Sequence, residues 1–284
     1  MATRAAASAA AARVGGGSSA GAGARGALRG GGAPPRSGVT ARSPLVSSAA
    51  AAPRPSRLAR LRQNINLGGA AAFLRVLWSP AEAIPHAACA DVGCVDFAAL
   101  AEAGVRAVLF DKDNTLTLPY VDEPHEPLKP ALRAAVEAFG AERVAVLSNS
   151  AGLTQFDPDG ALAAHLEGTL GVRVLRHAHK KPKGTVVEVE AHFAPSSDND
   201  GAVVAAGSVL FVGDRTLTDV VYGNRLGMLT LAVKPLDPSR DPFSVRLARC
   251  LEGALATVWR WVGAKPPQHA LSGALNLALR RDVQ

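Results

Sequence analysis

The sequence predicts an α/β fold, a Rossmann-like three-layer arrangement with a parallel sheet between two layers of helices. Three observations carry this expectation. Past about Pro80, short apolar runs rich in β-branched residues alternate with runs of helical spacing. Such alternation argues for a parallel sheet covered on both faces. The polar residues that break the pattern gather just after the apolar runs, where open α/β sheets bind their ligands.

The elements follow in order. "VRAVLF" (105–110) reads as the first strand, and "KPALRAAVEAFG" (129–140) as a helix closed by its glycine. "RVAVLSNS" (143–150) is a strand, "PDGALAAHLEGTLG" (158–171) a helix and "VRVLRH" (172–177) a strand. "KGTVVEVEAHF" (183–193) is expected to be helical, despite β-branched residues that lower its propensity. "APSSDNDGAVVAAG" (194–207) is polar and glycine-containing, and reads as a surface loop insertion. "SVLFVGD" (208–214) and "MLTLAV" (228–233) are strands, with "TLTDVVYGNRLG" (216–227) a helix between them. No internal repeat is visible. Four regions are expected: a leader (1–63), an N-terminal helical, membrane-facing segment (64–104), the core (105–240) and C-terminal amphipathic helices (241–284).

Charge is uneven along the chain. Residues 1–81 hold eleven arginines, no lysine and no acidic residue, leaving 20 basic against 24 acidic residues over 82–284. The overall +7 therefore belongs to the leader, and the high pI is no argument for a nucleic-acid partner. A leader rich in Ala, Arg, Ser and Gly and free of acids reads as an organelle transit peptide, its Gly/Ser/Pro content leaning towards a plastid over a mitochondrion. No stretch reaches the roughly 18–20 uninterrupted apolar residues of a transmembrane helix. Cys89, Cys94 and Cys250 make neither a disulfide framework nor a complete zinc site.

Four strands send polar groups towards one sheet edge. Asp111 and Asp113 follow the first, Ser148 and Asn149 the second, "RHAHKKPKG" (176–184) the third and Asp214 the fourth. The motifs "DKDNT", "VLSNS", "KKP" and "VGDRTLTD", in that order over residues 105–219, resemble the four motifs of the haloacid dehalogenase superfamily of phosphatases. The chemistry agrees with the resemblance. Phosphoryl transfer needs a nucleophile, charge neutralisation and a proton for the leaving group. The resemblance implies Asp111 as nucleophile and Asp113 as the acid and base. It implies Mg²⁺ held by Asp111, the Asp113 carbonyl and Asp214, with Asp219 in support. Ser148 would donate to a phosphoryl oxygen, and Lys181 would pair with the phosphate and Asp111.

Local roles compete with these. Asp pairs after strands often make Asx-turns or helix caps. Lys180 and Lys183 flank Lys181 in what could be a solvated basic loop. Asp219 could simply favour the first turn of a helix. Asn114 and Asn149 could hold backbone turns, Asn149 alternatively substrate. His86, His125, His177 and His179 show no ligand spacing.

About 35 residues separate Asp113 from Ser148 and about 33 separate Ser148 from Lys181, too few for the extra cap domain many such phosphatases carry. A capless, open site suits a lipid headgroup or a protein. "FDKDNTLTLPY", "LSNSAG", "HKKPKG", "VGDRTLTDVVYGNRLGM" and the upstream "NINLGG" to "IPHA" are similar to the eukaryotic organelle phosphatidylglycerophosphate phosphatase family, over residues 64–262. The resemblance implies dephosphorylation of phosphatidylglycerophosphate, a phospholipid partner at a membrane surface. Lys112, inside the motif turn, could meet an anionic headgroup or face solvent. Over 243–263, Phe243, Leu247, Leu251, Leu255, Val258 and Val262 share one helical face, with Arg246, Arg249 and Arg260 largely elsewhere. Such a helix could lie in a membrane interface or cover a face of the sheet. The competing readings are a soluble phosphatase for small phosphate esters and a non-catalytic binding protein of the same fold.

Overall fold

The computed structural model describes residues 75–76, 78–194 and 203–279. The expected leader, most of the apolar stretch 67–78 and most of the expected loop 194–207 lie outside the described residues. Six strands form one sheet: β1 (Ala87–Cys89), β2 (Ala107–Asp111), β3 (Val144–Leu147), β4 (Arg173–Val174), β5 (Val209–Gly213) and β6 (Leu229–Val233). Their spatial order is β1-β6-β5-β2-β3-β4, and every pairing is parallel.

Side chains alternate strictly across the sheet, as the pleat demands. Val108, Phe110, Val144, Val146, Leu210 and Val212 enter one core, against α1 (Phe97–Glu102), α2 (Lys129–Phe139), α3 (Ala161–Leu170) and α7 (Ser272–Ala278). Ala107, Leu109, Ala145, Leu147, Val209 and Phe211 enter the other, against α4 (Val186–His192) and α5 (Val221–Arg225). The three layers expected from the sequence are therefore present. No separate domain interrupts residues 112–128 or 148–180, so the described fold is capless.

Local sequence sets the helix ends. Asp96 accepts from the Ala99 amide at the start of α1. Pro130 sits in the first turn of α2, and Gly140 closes it at φ 83°. Thr185 and Glu188 form a reciprocal capping box on α4. The expected helix over 216–227 begins as a π-helical turn, Thr216–Val220, before α5.

Three features depart from the expected pattern. Residues 87–104, expected in a membrane-facing helical segment, contribute edge strand β1 and core helix α1, with Phe97 and Leu100 buried. β4 is only two residues long, because beyond it the backbone bonds the 152–154 loop: the His177 amide donates to Gly152 O and the Thr154 amide to His177 O. At the other end of the chain, α7 returns to the core beside α1, burying Leu275 and Ala278.

The chain runs β2, β3, β4 in one direction, then crosses back to β5 and β6 on the other side of β2. The strand order therefore reverses between β2 and β5, opening a crevice at their carboxyl ends. That crevice lies between Asp111 and Asp214.

Candidate active site

The turn after β2 is built on one carbonyl. Lys112 O faces the amides of Thr115, Leu116 and Thr117 at 3.4, 3.0 and 3.0 Å. Asn114 occupies a left-handed conformation, φ 65°, which asparagine tolerates better than most residues. Its side chain ties the turn to a distant loop: Nδ2 donates to Asp241 at 3.1 Å, and Oδ1 accepts from the Asp237 amide at 2.9 Å. Asp111 is thus fixed from both sides, by β2 behind it and the braced turn ahead.

β5 delivers the second half. Gly213 is needed for space rather than for an unusual φ: a Cβ there would lie 2.4 Å from the Asp219 Cβ. The π-helical turn folds Asp219 back under the strand end, where its carboxylate accepts from the Arg215 amide at 3.0 Å. Asp219 does help close the turn, as local reasoning allowed. It also stands 2.7 Å from Lys181 Nζ, with both side chains almost wholly buried.

Lys181 Nζ also pairs with Asp111. The solvated-loop alternative fails for this residue, which is 1% exposed, but holds for Lys183, which faces solvent. Asn149 accepts from the Lys181 amide at 3.1 Å, so it braces the lysine loop. His177 links the same loop to β3, its ring nitrogens lying 2.8 Å from Ser148 O and 2.7 Å from His179 O. Ser148 follows Leu147, the register partner of Asp111, and its buried hydroxyl lies 3.1 Å from that of Ser150.

Asp111, Asp214 and Asp219 each place a carboxylate oxygen within 4.8 Å of the others. Burial pushes the Asp111 carboxyl up to about 7, against the opposing pull of Lys181, with Asp219 adding to the rise. Burial pushes Asp214 well above the usual carboxylate range, against Arg249. Lys181 is held above its ordinary value although burial opposes it, because Asp111 and Asp219 favour its charge. Three crowded carboxylates, Asp111 and Asp214 among them with raised proton affinity, are a donor set that a hard divalent cation fits.

Two groups stand differently from expectation. Lys112 neither faces solvent nor lies open to a headgroup. It is 5% exposed, and its Nζ binds Asp113 at 3.0 Å, Asp122 at 3.2 Å and Val121 O at 2.8 Å. Asp113 is half-exposed and turned towards this lysine and the Tyr120 amide, rather than towards Asp111's cation partners.

Sequence reasoning missed the contribution of α6 (Phe243–Trp261). Arg249 Nη2 stands 2.5 Å from Asp214, and its Nε donates to Asp241 at 2.6 Å. Buried Glu252 accepts from Arg215 at 3.0 Å and from the Thr216 amide at 3.2 Å. The signal available was periodicity: positions 249 and 252 lie off the apolar face of their helix.

Residues 67–237 match the family model described as mitochondrial PGP phosphatase. The chain belongs to the mitochondrial PGP phosphatase family. It is 44% identical to chloroplastic phosphatidylglycerophosphate phosphatase 1 of Chlamydomonas reinhardtii over 255 residues, covering 89% of this chain and 90% of that one. It is 42% identical over 214 residues to the chloroplastic/mitochondrial phosphatidylglycerophosphate phosphatase 1 of Arabidopsis thaliana, covering 75% of this chain and 59% of that protein. A probable mitochondrial phosphatidylglycerophosphatase of Schizosaccharomyces pombe is 33% identical over 171 residues, 57% of this chain and 79% of the relative. No solved structure matches significantly. The family match spans all four strand-end motifs but stops before α6.

Proposed function

We propose that this protein hydrolyses phosphatidylglycerophosphate to phosphatidylglycerol and phosphate at an organelle membrane. The observation that carries the reading is the buried meeting of Asp111, Lys181 and Asp219 beside Asp214 at the sheet's switch point, in a chain of the PGP phosphatase family. Relatives named chloroplastic or mitochondrial support an organelle, and the acid-free leader favours a plastid.

In this reading an Asp111 oxygen attacks phosphorus, and the bond from phosphorus to the glycerol oxygen breaks. Asp113 gives its proton to the leaving oxygen, leaving an aspartyl phosphate. A water then attacks that phosphorus, Asp113 takes the water's proton, and phosphate leaves Asp111. Lys181 holds Asp111 in place, screens its repulsion from the phosphate and is itself fixed by Asp219. Ser148 offers its hydroxyl to a phosphoryl oxygen. Asn149 acts by positioning the lysine loop rather than by touching substrate. Lys112 acts through Asp113, holding the proton carrier at the turn. Mg²⁺ would be held by Asp111, the Asp113 carbonyl and Asp214, and would neutralise phosphoryl charge when bound.

The test is hydrolysis by the purified protein of phosphatidylglycerophosphate in vesicles, beside a panel of soluble phosphate esters. Preference for the lipid is expected. Preference for soluble esters would replace the lipid by a small metabolite, and no hydrolysis of either would favour a binding protein. Asp111→Asn should abolish turnover with the fold intact, and retained turnover would remove Asp111 as nucleophile.

A further inference from the structure

α6 is turned inside out relative to an ordinary surface helix. Its polar residues Arg249 and Glu252 face inward, while its apolar stripe faces outward. The stripe comprises Phe243, Leu247, Leu251, Val258, Trp261 and Val262, all exposed, Phe243 by 78% and Trp261 by 87%. Positions 243, 247, 251, 258 and 262 follow the helical repeat, so they form one continuous band along the helix.

Trp259 and Leu255, on α6's inner side, pack with Val76, Leu217 and Val221. Val76 thereby packs in one cluster with α6's inner side, and Trp78 is 89% exposed. Arg246 is exposed near the Phe243 edge of the band, Arg260 is exposed further round α6, and exposed Lys265 follows the helix. An apolar helix face with Trp261 at its end and basic side chains on its exposed flank has the composition of a helix lying in a lipid interface. No helix among the described residues is long and apolar enough to cross a membrane.

We propose that α6 and Trp78 form the surface by which the protein docks on an anionic bilayer. The inner side of the same helix grips the reaction centre. Arg249 holds Asp214 and Asp241, and Glu252 holds Arg215 and the first turn after β5. One rigid helix therefore joins the lipid surface to the carboxylate cluster, and docking fixes the crevice at a set height and tilt over the headgroups. Phosphate hydrolysis at this site rests on the function proposed above; docking does not, and is measured separately.

The experiment uses the full chain and the double variant Leu247→Glu, Leu251→Glu. Both positions are exposed and away from the cluster, so folding and hydrolysis of a soluble ester should be unchanged. Wild type should float with phosphatidylcholine vesicles that contain phosphatidylglycerol, and less with phosphatidylcholine alone. Placing a carboxylate on the band should lower the bound fraction by about tenfold or more for each leucine. Hydrolysis of vesicle-borne phosphatidylglycerophosphate should fall in parallel. The proposal fails if wild type does not float, or if the variant floats as wild type does. It also fails if light scattering shows that the variant breaks a dimer while vesicle binding is unchanged, since the band would then be a self-contact. A wild type that floats but hydrolyses nothing would leave docking standing and overturn the phosphatase reading.

Discussion

Replacing Lys181 by methionine tests the electrostatic centre of the site. The side chain is fully buried and contacts Asp111 and Asp219, the latter at 2.7 Å. At that distance one ion pair is worth about 6 kcal/mol of attraction with an effective dielectric of 20. Desolvation of the ammonium offsets much of this, and breaking a buried pair typically costs about 3–5 kcal/mol net. A chain of this size should then melt about 6–20 °C lower, at about 2–4 °C per kcal/mol. The pH dependence adds a second readout. Burial already pushes Asp111 up to about 7, and losing the cation that opposes this raises it further above its unfolded value. The folded state then binds more protons than the unfolded state, so stability falls as pH rises. In chelator, the deficit of the variant should grow from pH 5 to pH 8. Lys183→Met, at an exposed position, is the control and should melt like wild type. A Lys181→Met protein within about 2 °C of wild type at every pH would refute the buried-cation account, because it would leave Asp111 and Asp219 without their buried cation at no cost.

Mg²⁺ should raise the melting temperature of wild type, by about 2.7 kcal/mol of stability at a hundredfold excess over its dissociation constant, and Asp214→Asn should blunt the rise; equal shifts in both proteins would remove Asp214 as a ligand. Arg249→Leu takes the cation from Asp214 and Asp241, so it should cost about 3–5 kcal/mol in chelator and less in Mg²⁺. An identical deficit in both buffers would show that Arg249 does not share Asp214 with a metal. His86 lies between Thr230 and Pro267 O, and burial lowers it to about 4, with His269 adding to the shift. Between pH 6.5 and 4 the unfolded state binds the extra proton, so stability is lost as pH falls through that window, by about 3 kcal/mol at full effect. Titration of the His86 ring by NMR with a midpoint near 6.5 would contradict this.

The legible part of the fold was the part with strong apolar runs. β2, β3, β5 and β6 are rich in Val, Leu and Phe, and their ends announced Asp111, Ser148 and Asp214. β1 was hidden because "AAC" has no β-branched residue, and it becomes a strand only through pairing with β6, Ala87 opposite Leu231. Lys112 was misplaced because its partner Asp122 comes ten residues later, in a loop that folds back over the turn. Arg249 was hidden for a different reason. Periodicity separated it from the apolar face of α6, but amphipathicity says only that two faces differ. Which face meets the protein depends on Asp214 and Asp241, which are distant in sequence.

Charge explains why the site needs each of these distant residues. Asp111, Asp214 and Asp219 carry three negative charges when ionised, and Lys181 and Arg249 return two. A phosphate monoester brings about −1.5 to −2 more. Without a further cation, an anion would be drawn into a crevice that repels it, and Asp111 would hold a proton instead of attacking. The raised proton affinity of Asp111 and Asp214 comes first from burial, and the neighbouring carboxylates add to it. Adding Mg²⁺, in the reading proposed here, nearly balances the loaded site and frees Asp111 to act as a nucleophile. Asp219 has a separate part in this balance. Tied to Lys181 and to the Arg215 amide, it keeps the ammonium ionised and aimed at Asp111 whether or not the phosphate is present. Replacing Asp219 by asparagine should therefore slow turnover by loosening Lys181 and leave Mg²⁺ affinity largely intact, whereas Asp214→Asn should weaken Mg²⁺ binding, so that its turnover recovers as Mg²⁺ is raised.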